Sequence, residues 1–578
     1  MKYIDRFPKG VYVIDFEFHP ADGVEGNKPD PVCLVALNYL TGQARRYWRD
    51  ELRQLPVAPF PCGDDALTVA YYASAEMDCF LALGWPLPVN LLDLYCEFRV
   101  KTNGLTPTYG AGLIGALLYF DFPSQDAADK DEMRQVVLSG GPWSPEVQEA
   151  ILAYCQRDVT ALRTLMAYMY PMIDWPRALL RGRYMMAVSR MQDVGVPIDV
   201  PTLKKMQAKW DLIQDELIAG IDHQYGVFEG RTFKAARWAN YLERHQIPWP
   251  RLASGELDLK DDTFRGMAKA YPQVAAMREL RSALSELRLS DLKVGDDGRN
   301  RCLLSPFRSK TGRNQPSNTR FIFGPSVWLR SLIKPQPGWA VAYIDYCQQE
   351  FGIAAALSGD AAMMDAYRSG DPYLAFAKQA GAVPTNATKA THKHQRELFK
   401  QCVLAVQYGM GEESLAVKIS QPVITARWLL DLHRSTYRRF WAWSDAALDE
   451  FSLRGRLWTT LGWELRASGV VNPRSVRNFP MQANGAEILR IACIYLTEAG
   501  IRVCAPVHDA VLIEARADAI DAAVNRARDL MVQASAQVLG GFPLACDVNV
   551  IRHPERYSDE RGQSMWATVI GLVGAEQP

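Results

Sequence analysis

Ala340–Glu350 reads AVAYIDYCQQE: five apolar or aromatic strand-formers, then an acid at Asp345. β-branched and aromatic side chains favour a strand, so the run predicts a strand that ends on a carboxylate. Tyr346, Gln348 and Glu350 follow directly. Far along the chain, VCAPV and VLIEA bracket His508-Asp509, which reads as a hairpin with an acid at its turn. Two distant acids presented by neighbouring strand ends can hold two divalent ions. Between them, Arg396, Lys400, Leu404 and Tyr408 recur every four residues. On a helix they form one slowly drifting stripe. Its cations suit a triphosphate and its aromatic end, followed by Gly409, suits a base. An amphipathic helix with exposed cations would carry the same pattern.

A second acidic set lies near the N-terminus. VYVIDFEF, Val11–Phe18, is an apolar strand with Asp15 and Glu17 inside it. Their i, i+2 spacing puts both side chains on one face, where they repel each other and lose hydration. A divalent cation relieves both problems; a water-facing edge strand is the plainer alternative. Tyr154 and Asp158 are one helical turn apart, and Asp78 lies on a helix that follows a strand. Four acids and a tyrosine in this order can hold two ions about 3.5–4 Å apart, suited to in-line attack of water on a phosphodiester. Glu76 is close enough to replace Asp78 as the third acid.

Around these sets the pattern is strands first, then helices. Pro31–Tyr39 and Arg45–Trp48 form a meander, Leu67–Tyr72 is another strand, and Ala75–Leu83 is helical. Ser144-Pro145 starts a helix running past Asp158 to about Tyr168. This predicts an α/β domain of about 170 residues. Trp175–Leu292 is mainly helical, with a turn at Gly195–Asp199. The polar, glycine-bearing stretch Val294–Asn300 is a candidate boundary. No acid occurs between Asp297 and Asp345, while Arg299, Arg301, Arg308, Lys310, Arg313, Arg320, Arg330 and Lys334 do. Such a run is commonly a solvated face, yet it also suits phosphate contact.

The chain has 578 residues, enough for three or four domains, and an ordinary globular composition of 48% hydrophobic and 10% aromatic residues. Basic and acidic residues balance at 65 each, so net charge names no partner. The 11 cysteines show no CxxC pair or zinc spacing and read as reduced thiols. The N-terminus lacks a secretory core, and no apolar run reaches the roughly 18 residues of a membrane span. A cytoplasmic protein is expected.

Taken together the motifs resemble a known family. DYCQQE at Asp345–Glu350 resembles motif A of the family-A DNA polymerases. Arg396-x3-Lys400-x7-Tyr408-Gly409 resembles motif B, and Val507-His508-Asp509 motif C. Thr311-Gly312-Arg313 resembles the upstream TGR motif. Arg474-x3-Asn478-x-Pro480-Met481-Gln482 resembles the motif before the final hairpin. Asp15-x-Glu17, Asp78 and Tyr154-x3-Asp158 resemble proofreading exonucleases of the DEDD class with a tyrosine. Asp93 resembles a nearby family acid that is not a ligand.

The resemblance implies an α/β and α+β multidomain fold: an RNase H-like 3′→5′ exonuclease domain (1–170), thumb and connecting helices (171–300), palm (301–370 and 451–578) and fingers (371–450). It implies two Mg²⁺ per active site, with Mn²⁺ as a substitute, on Asp345 and Asp509 and on Asp15, Glu17, Asp78 and Asp158. Tyr154 would orient the attacking water. Arg396 and Lys400 would bind the triphosphate, Lys400 also protonating pyrophosphate. Gln348, Leu404 and Tyr408 would complete the nucleotide site, and Glu350 would exclude a 2′ hydroxyl. Arg313, Arg474, Asn478, Gln482 and His508 would contact the duplex.

The implied partners are primer-template DNA and dNTPs, with no membrane, and the chain would act as a monomer. Opening on the exonuclease strand, the chain would lack a 5′ nuclease domain. Departures from the family pattern are Ser74, Cys347, Gly352, Leu404 and Ala510, which suggest a divergent, phage-like branch. A polymerase with an inactive exonuclease, an exonuclease that merely binds DNA through its C-terminal half, and a single-subunit RNA polymerase are the alternatives. Glu350 argues against the last.

Overall fold

The computed structural model describes residues 3–574 except 124–126, 253, 287–288, 290, 325–326, 408 and 470–471. Tyr408 therefore lies outside the described residues.

The first acidic run forms β1 (Gly10–Pro20). It pairs antiparallel with β2 (Pro29–Asn38), which pairs with β3 (Ala44–Trp48). On its other side it pairs parallel with β4 (Ala66–Ala70), which pairs with β5 (Leu91–Asp93). The sheet order is β3-β2-β1-β4-β5. Both faces are covered, which explains why these strands are apolar almost throughout. Ile14 and Phe16 face one core, shared with α1 (Ser74–Ala82). Val11 and Val13 face another. After α2 (Leu94–Thr102) and α3 (Ala127–Leu138), that second core is closed by α4 (Pro145–Met169). As read from the sequence, Ser144 caps α4 by accepting the Val147 N–H, with Pro145 in the first turn.

α5 (Trp175–Val194) crosses the sheet edge very closely: a Cβ on Gly182 would lie 1.8 Å from the Leu91 carbonyl oxygen. One residue earlier, Arg181 donates from Nε and Nη2 to the two carboxylate oxygens of Glu97 on α2, at 2.6 and 2.9 Å. Both side chains are buried.

The stretch read as a boundary is woven into the structure. Arg299-Asn300 pairs with Val196-Pro197. The Arg299 guanidinium donates to the Val194 and Gly195 carbonyls and to Glu514. Between Val200 and Glu286, helices enclose a cluster of Trp238, Tyr241, Trp249 and Phe264.

The C-terminal half is built on four antiparallel strands: β6 (Trp339–Tyr346), β7 (Arg502–Val507), β8 (Ala510–Arg516) and β9 (Cys546–Arg552), in the order β7-β8-β6-β9. α6 (Gln349–Ser358) leaves β6 directly, and α7 (Lys393–Gln407) belongs to a helical subassembly spanning 372–454. α8 (Pro473–Glu498) and α9 (Ile520–Val538) pack on each other and on the sheet. One apolar core runs from the Ile14 face of the first sheet, through α5, into the second. Among the described residues, no helix is long and apolar enough to cross a membrane.

The Arg181–Glu97 pair gives a stability prediction. Arg181→Ala leaves a buried carboxylate unpaired, which costs about 3–5 kcal/mol. Calorimetry should show a lowered Tm, and Glu97→Leu combined with Arg181→Met should recover most of the loss.

Candidate active sites

The N-terminal site follows from strand alternation. Asp15 and Glu17 continue the Val11–Val13 row, so they face α4, where Asp158 is buried one turn after Tyr154. One carboxylate oxygen from each of Asp15, Glu17 and Asp158 lies within 4.8 Å of the others. A bulge between Glu17 and Phe18 ends the regular pairing with β2 there. Burial and the Asp158 charge push the Asp15 carboxyl up to about 7. Glu17 is raised by burial, then by Asp15. Burial and Asp158 also keep the Tyr154 phenol protonated.

The third acid differs from the expectation. Asp78 faces α5, where it accepts from Gln192 Nε2 at 2.8 Å, and its charge neighbours are Asp193 and Arg301. Glu76 holds the place beside the cluster. It is buried, accepts the Phe16 N–H at 2.8 Å, and is raised by burial and by the charges of Asp15 and Glu17. Two residues on a helix are about 200° apart, so one acid on α1 can face β1 only if the other faces away. Asp93 accepts the N–H groups of Tyr72, Ala73 and Tyr95 at 2.8–2.9 Å, holding the turn into α1 and capping α2.

The C-terminal site sits where β6 ends and the β7–β8 hairpin turns. Asp345 lies opposite Ala510 on one side and Asp547 on the other. Asp509 is beside it: the Tyr346 N–H donates to the Asp509 carbonyl at 3.3 Å, and the Asp509 charge acts on the Asp345 carboxyl. Burial, Asp509 and Asp547 push Asp345 up to about 7. Gln348 and His508 flank the acids with φ of 40° and 55°, a left-handed conformation that costs a non-glycine residue about 1–2 kcal/mol.

Other residues named from the sequence gather here. Arg313 lies 3.5 Å from Glu350, whose carboxyl also bonds Gln482. Burial raises the Glu350 pKa, and Arg313 opposes that shift. Burial and Arg313 both hold His508 neutral to lower pH. The loop bearing Arg308 and Arg313 lines a cleft of about 730 Å³ that also reaches Arg330, Arg490 and His508. The acid-free run is thus a wall of this cleft. Arg490 fixes the loop by donating to the Gly312 carbonyl at 2.7 Å. The Asn478 Oδ1 is buried without a partner.

The α7 residues make other contacts. Arg396 pairs with Asp371 at 2.5 Å and Lys400 with Glu397 at 3.8 Å, while Leu404 is half-buried. Arg474 is exposed, its backbone N–H bonded to Asn472. Two departures gain a reason. A Cβ on Gly352 would lie 2.4 Å from Leu544 and 2.9 Å from Tyr367, so a larger residue there would force those side chains to move. Cys347 lies near Asp547, whose charge, after burial, helps to raise its thiol. Sequence reasoning missed Asp547 and Lys130, which reach their sites only through folding.

Both clusters fit divalent ions. The first offers three convergent carboxylates, and in the second the Asp345 Oδ1 is buried with no donor.

Residues 317–553 match the sequence model of DNA polymerase family A. DNA polymerase I of Chloroflexus aurantiacus is 27% identical over 49% of this chain and 32% of the relative. Thermostable DNA polymerase I of Thermus aquaticus is 24% identical over 63% of this chain and 46% of the relative. The DNA polymerase of Mycobacterium phage L5 is 25% identical over 42% of this chain and 40% of the relative. The chain thus spans less than half the length of these relatives. The fold is shared more widely: the POL domain of Pol1 from M. smegmatis, solved in complex with DNA primer-template and dNTP, superposes with a TM-score of 0.71 at 17% identity. That likeness covers 95% of this chain and 97% of the other. The likeness of fold therefore extends over the N-terminal sheet as well.

The raised carboxyls carry a pH signature. Asp15 and Asp345 sit near 7 in the folded, metal-free chain, against about 3.9 unfolded. Between those values the folded state holds protons that the unfolded state has lost, so stability is greatest below about pH 4 for these groups and is lost as pH rises through 7. In chelator, the Tm contribution from these acids should fall between about pH 4 and 7. Added Mg²⁺ should reverse that fall, whereas replacing Asp15 and Asp345 by Asn should flatten it.

Proposed function

We propose that this protein is a template-directed DNA polymerase that extends a primer with dNTPs and trims 3′ ends with a proofreading exonuclease on the same chain. The observation carrying synthesis is the meeting of Asp345 and Asp509 beside Arg313, Glu350, Gln482 and His508 within a family-A fold. The convergence of Asp15, Glu17 and Asp158 carries trimming. In this reading residues 1–170 are the exonuclease domain, 171–300 the thumb and connecting helices, 301–370 and 451–578 the palm, and 371–450 the fingers.

Two Mg²⁺ per site, replaceable by Mn²⁺, would activate the primer 3′ hydroxyl or a water and neutralise the phosphates. Asp345 and Asp509 would hold them in the palm; Asp15, Glu17, Glu76 and Asp158 would do so in the exonuclease. Arg396 and Lys400 would take the triphosphate, Arg396 exchanging Asp371 for phosphate. Lys400 can donate a proton to the departing pyrophosphate. Glu350, held by Arg313 and Gln482, stands where a carboxylate crowds a 2′ hydroxyl. Arg313, Asn478, Gln482 and His508 would lie along the duplex minor groove, whose acceptors occur in every base pair. Gln348, Leu404 and Tyr408 would complete the nucleotide site, and Arg474 would add a duplex contact. Tyr154 would orient the attacking water. The DNA and dNTP of the M. smegmatis complex support the same ligands here.

A primer-template assay in Mg²⁺, with and without dNTPs, tests both activities. Asp345→Ala or Asp509→Ala should abolish extension and leave 3′ degradation. Asp15→Ala with Glu17→Ala should do the reverse. Glu76→Gln should join the degradation-deficient class, and Asp78→Asn should not. Loss of both activities from one pair, with the fold intact, refutes two independent sites. In a separate measurement, Glu350→Ala should raise ribonucleotide incorporation at least tenfold; unchanged discrimination removes its assigned role.

A further inference from the structure

The acids of the N-terminal cluster already have a cation among them. Lys130, on α3, places Nζ 2.6 Å from Asp158 Oδ2 and 5.8 Å from the centre of the Tyr154 ring. Its charge also acts on Asp15 and Glu17, opposing the repulsion that raises both acids. The contact is not deep: the Lys130 side chain is 30% exposed, against 10% for Asp158. Lys130 lines a cleft of about 550 Å³ together with Asp15, Asp158, Tyr71, Tyr72, Arg99 and Arg308. The ammonium therefore has a route out of the cluster.

An ammonium and a divalent ion cannot share that carboxylate edge. A Mg²⁺ binds carboxylate oxygen at about 2.0–2.1 Å in octahedral geometry, usually keeping several waters. A positive charge already seated on the same oxygen would lie within a few ångströms of it, where like charges repel strongly because a partly buried site screens them poorly. Lysine suits the part of a displaceable occupant, being a point charge on a flexible four-carbon stem.

We propose that Lys130 occupies one cation position of the N-terminal cluster in the metal-free protein, and that a divalent ion binds there only by displacing the ammonium from Asp158. Lys130 thus sets the metal concentration at which the exonuclease site fills. It limits the repulsion among the acids before loading, and on release its ammonium turns toward the cleft, where a phosphodiester offers the next anion. This rests on reading the cluster as a metal site, and the experiment separates the two claims.

The measurement is a Mn²⁺ titration of the full chain, followed by electron paramagnetic resonance of free Mn²⁺. Asp345→Asn and Asp509→Asn are present throughout to silence the palm site. With Lys130 intact, replacing Asp15 by Asn and Glu17 by Gln should reduce the number of bound ions. If it does not, the cluster is not a metal site and both claims fall. If it does, Lys130→Met should fill the weaker position at about tenfold lower Mn²⁺, and Lys130→Gln should do likewise. A purely structural lysine predicts the opposite, weaker binding from a misplaced Asp158. Weaker or unchanged Mn²⁺ binding in both variants overturns the displacement proposal while leaving the metal site standing.

Discussion

Carboxylates packed against one another in partly buried positions are the constraint on which this molecule turns. Asp15, Glu17 and Asp158 form one such group, with Glu76 under their charge, and Asp345 and Asp509 the other, with Asp547 on the neighbouring strand. Each group is costly on its own, because burial removes hydration while neighbouring charges repel. The scaffold holds them regardless. Strand β1 is locked between two apolar cores, and β6 is paired on both sides, so neither acid can turn away without breaking a ladder.

The two groups are joined by a continuous apolar body. α5 packs beside the first sheet at Gly182 and reaches the second through the same core. Buried ion pairs lie along this path: Arg181 with Glu97, Arg299 with Glu514 and Arg490 with Glu487. Such pairs add little net stability but penalise misplaced partners. Arg490 also holds the basic loop at Gly312-Arg313 beside the hairpin that carries Asp509. The positive wall of the large cleft and the acids at its end are thus parts of one rigid arrangement.

Much of this was legible along the chain. Alternation in Val11–Phe18 predicted two acids on one face, and the Tyr154–Asp158 spacing predicted a shared helix face; the structure brings Asp15, Glu17 and Asp158 together. The hairpin around His508-Asp509 and the strand ending at Asp345 were equally plain, because period-two patterns bounded by polar turns carry their own register. The stretch Val294–Asn300, read as a boundary, is also paired with distant segments. A polar, glycine-bearing stretch looks like a linker until Arg299 finds Glu514 on a strand far along the chain.

The residues alone determined which elements carry acids, which carry cations and in what order, since those properties follow from side-chain chemistry and local periodicity. Folding decided which of two acids on α1 turns inward, because helix rotation is set by the face that packs on α5 and not by the acids themselves. It also decided that Lys130 lies on Asp158 and that Asp547 stands opposite Asp345. These contacts join segments whose separation in sequence carries no record of their distance in space.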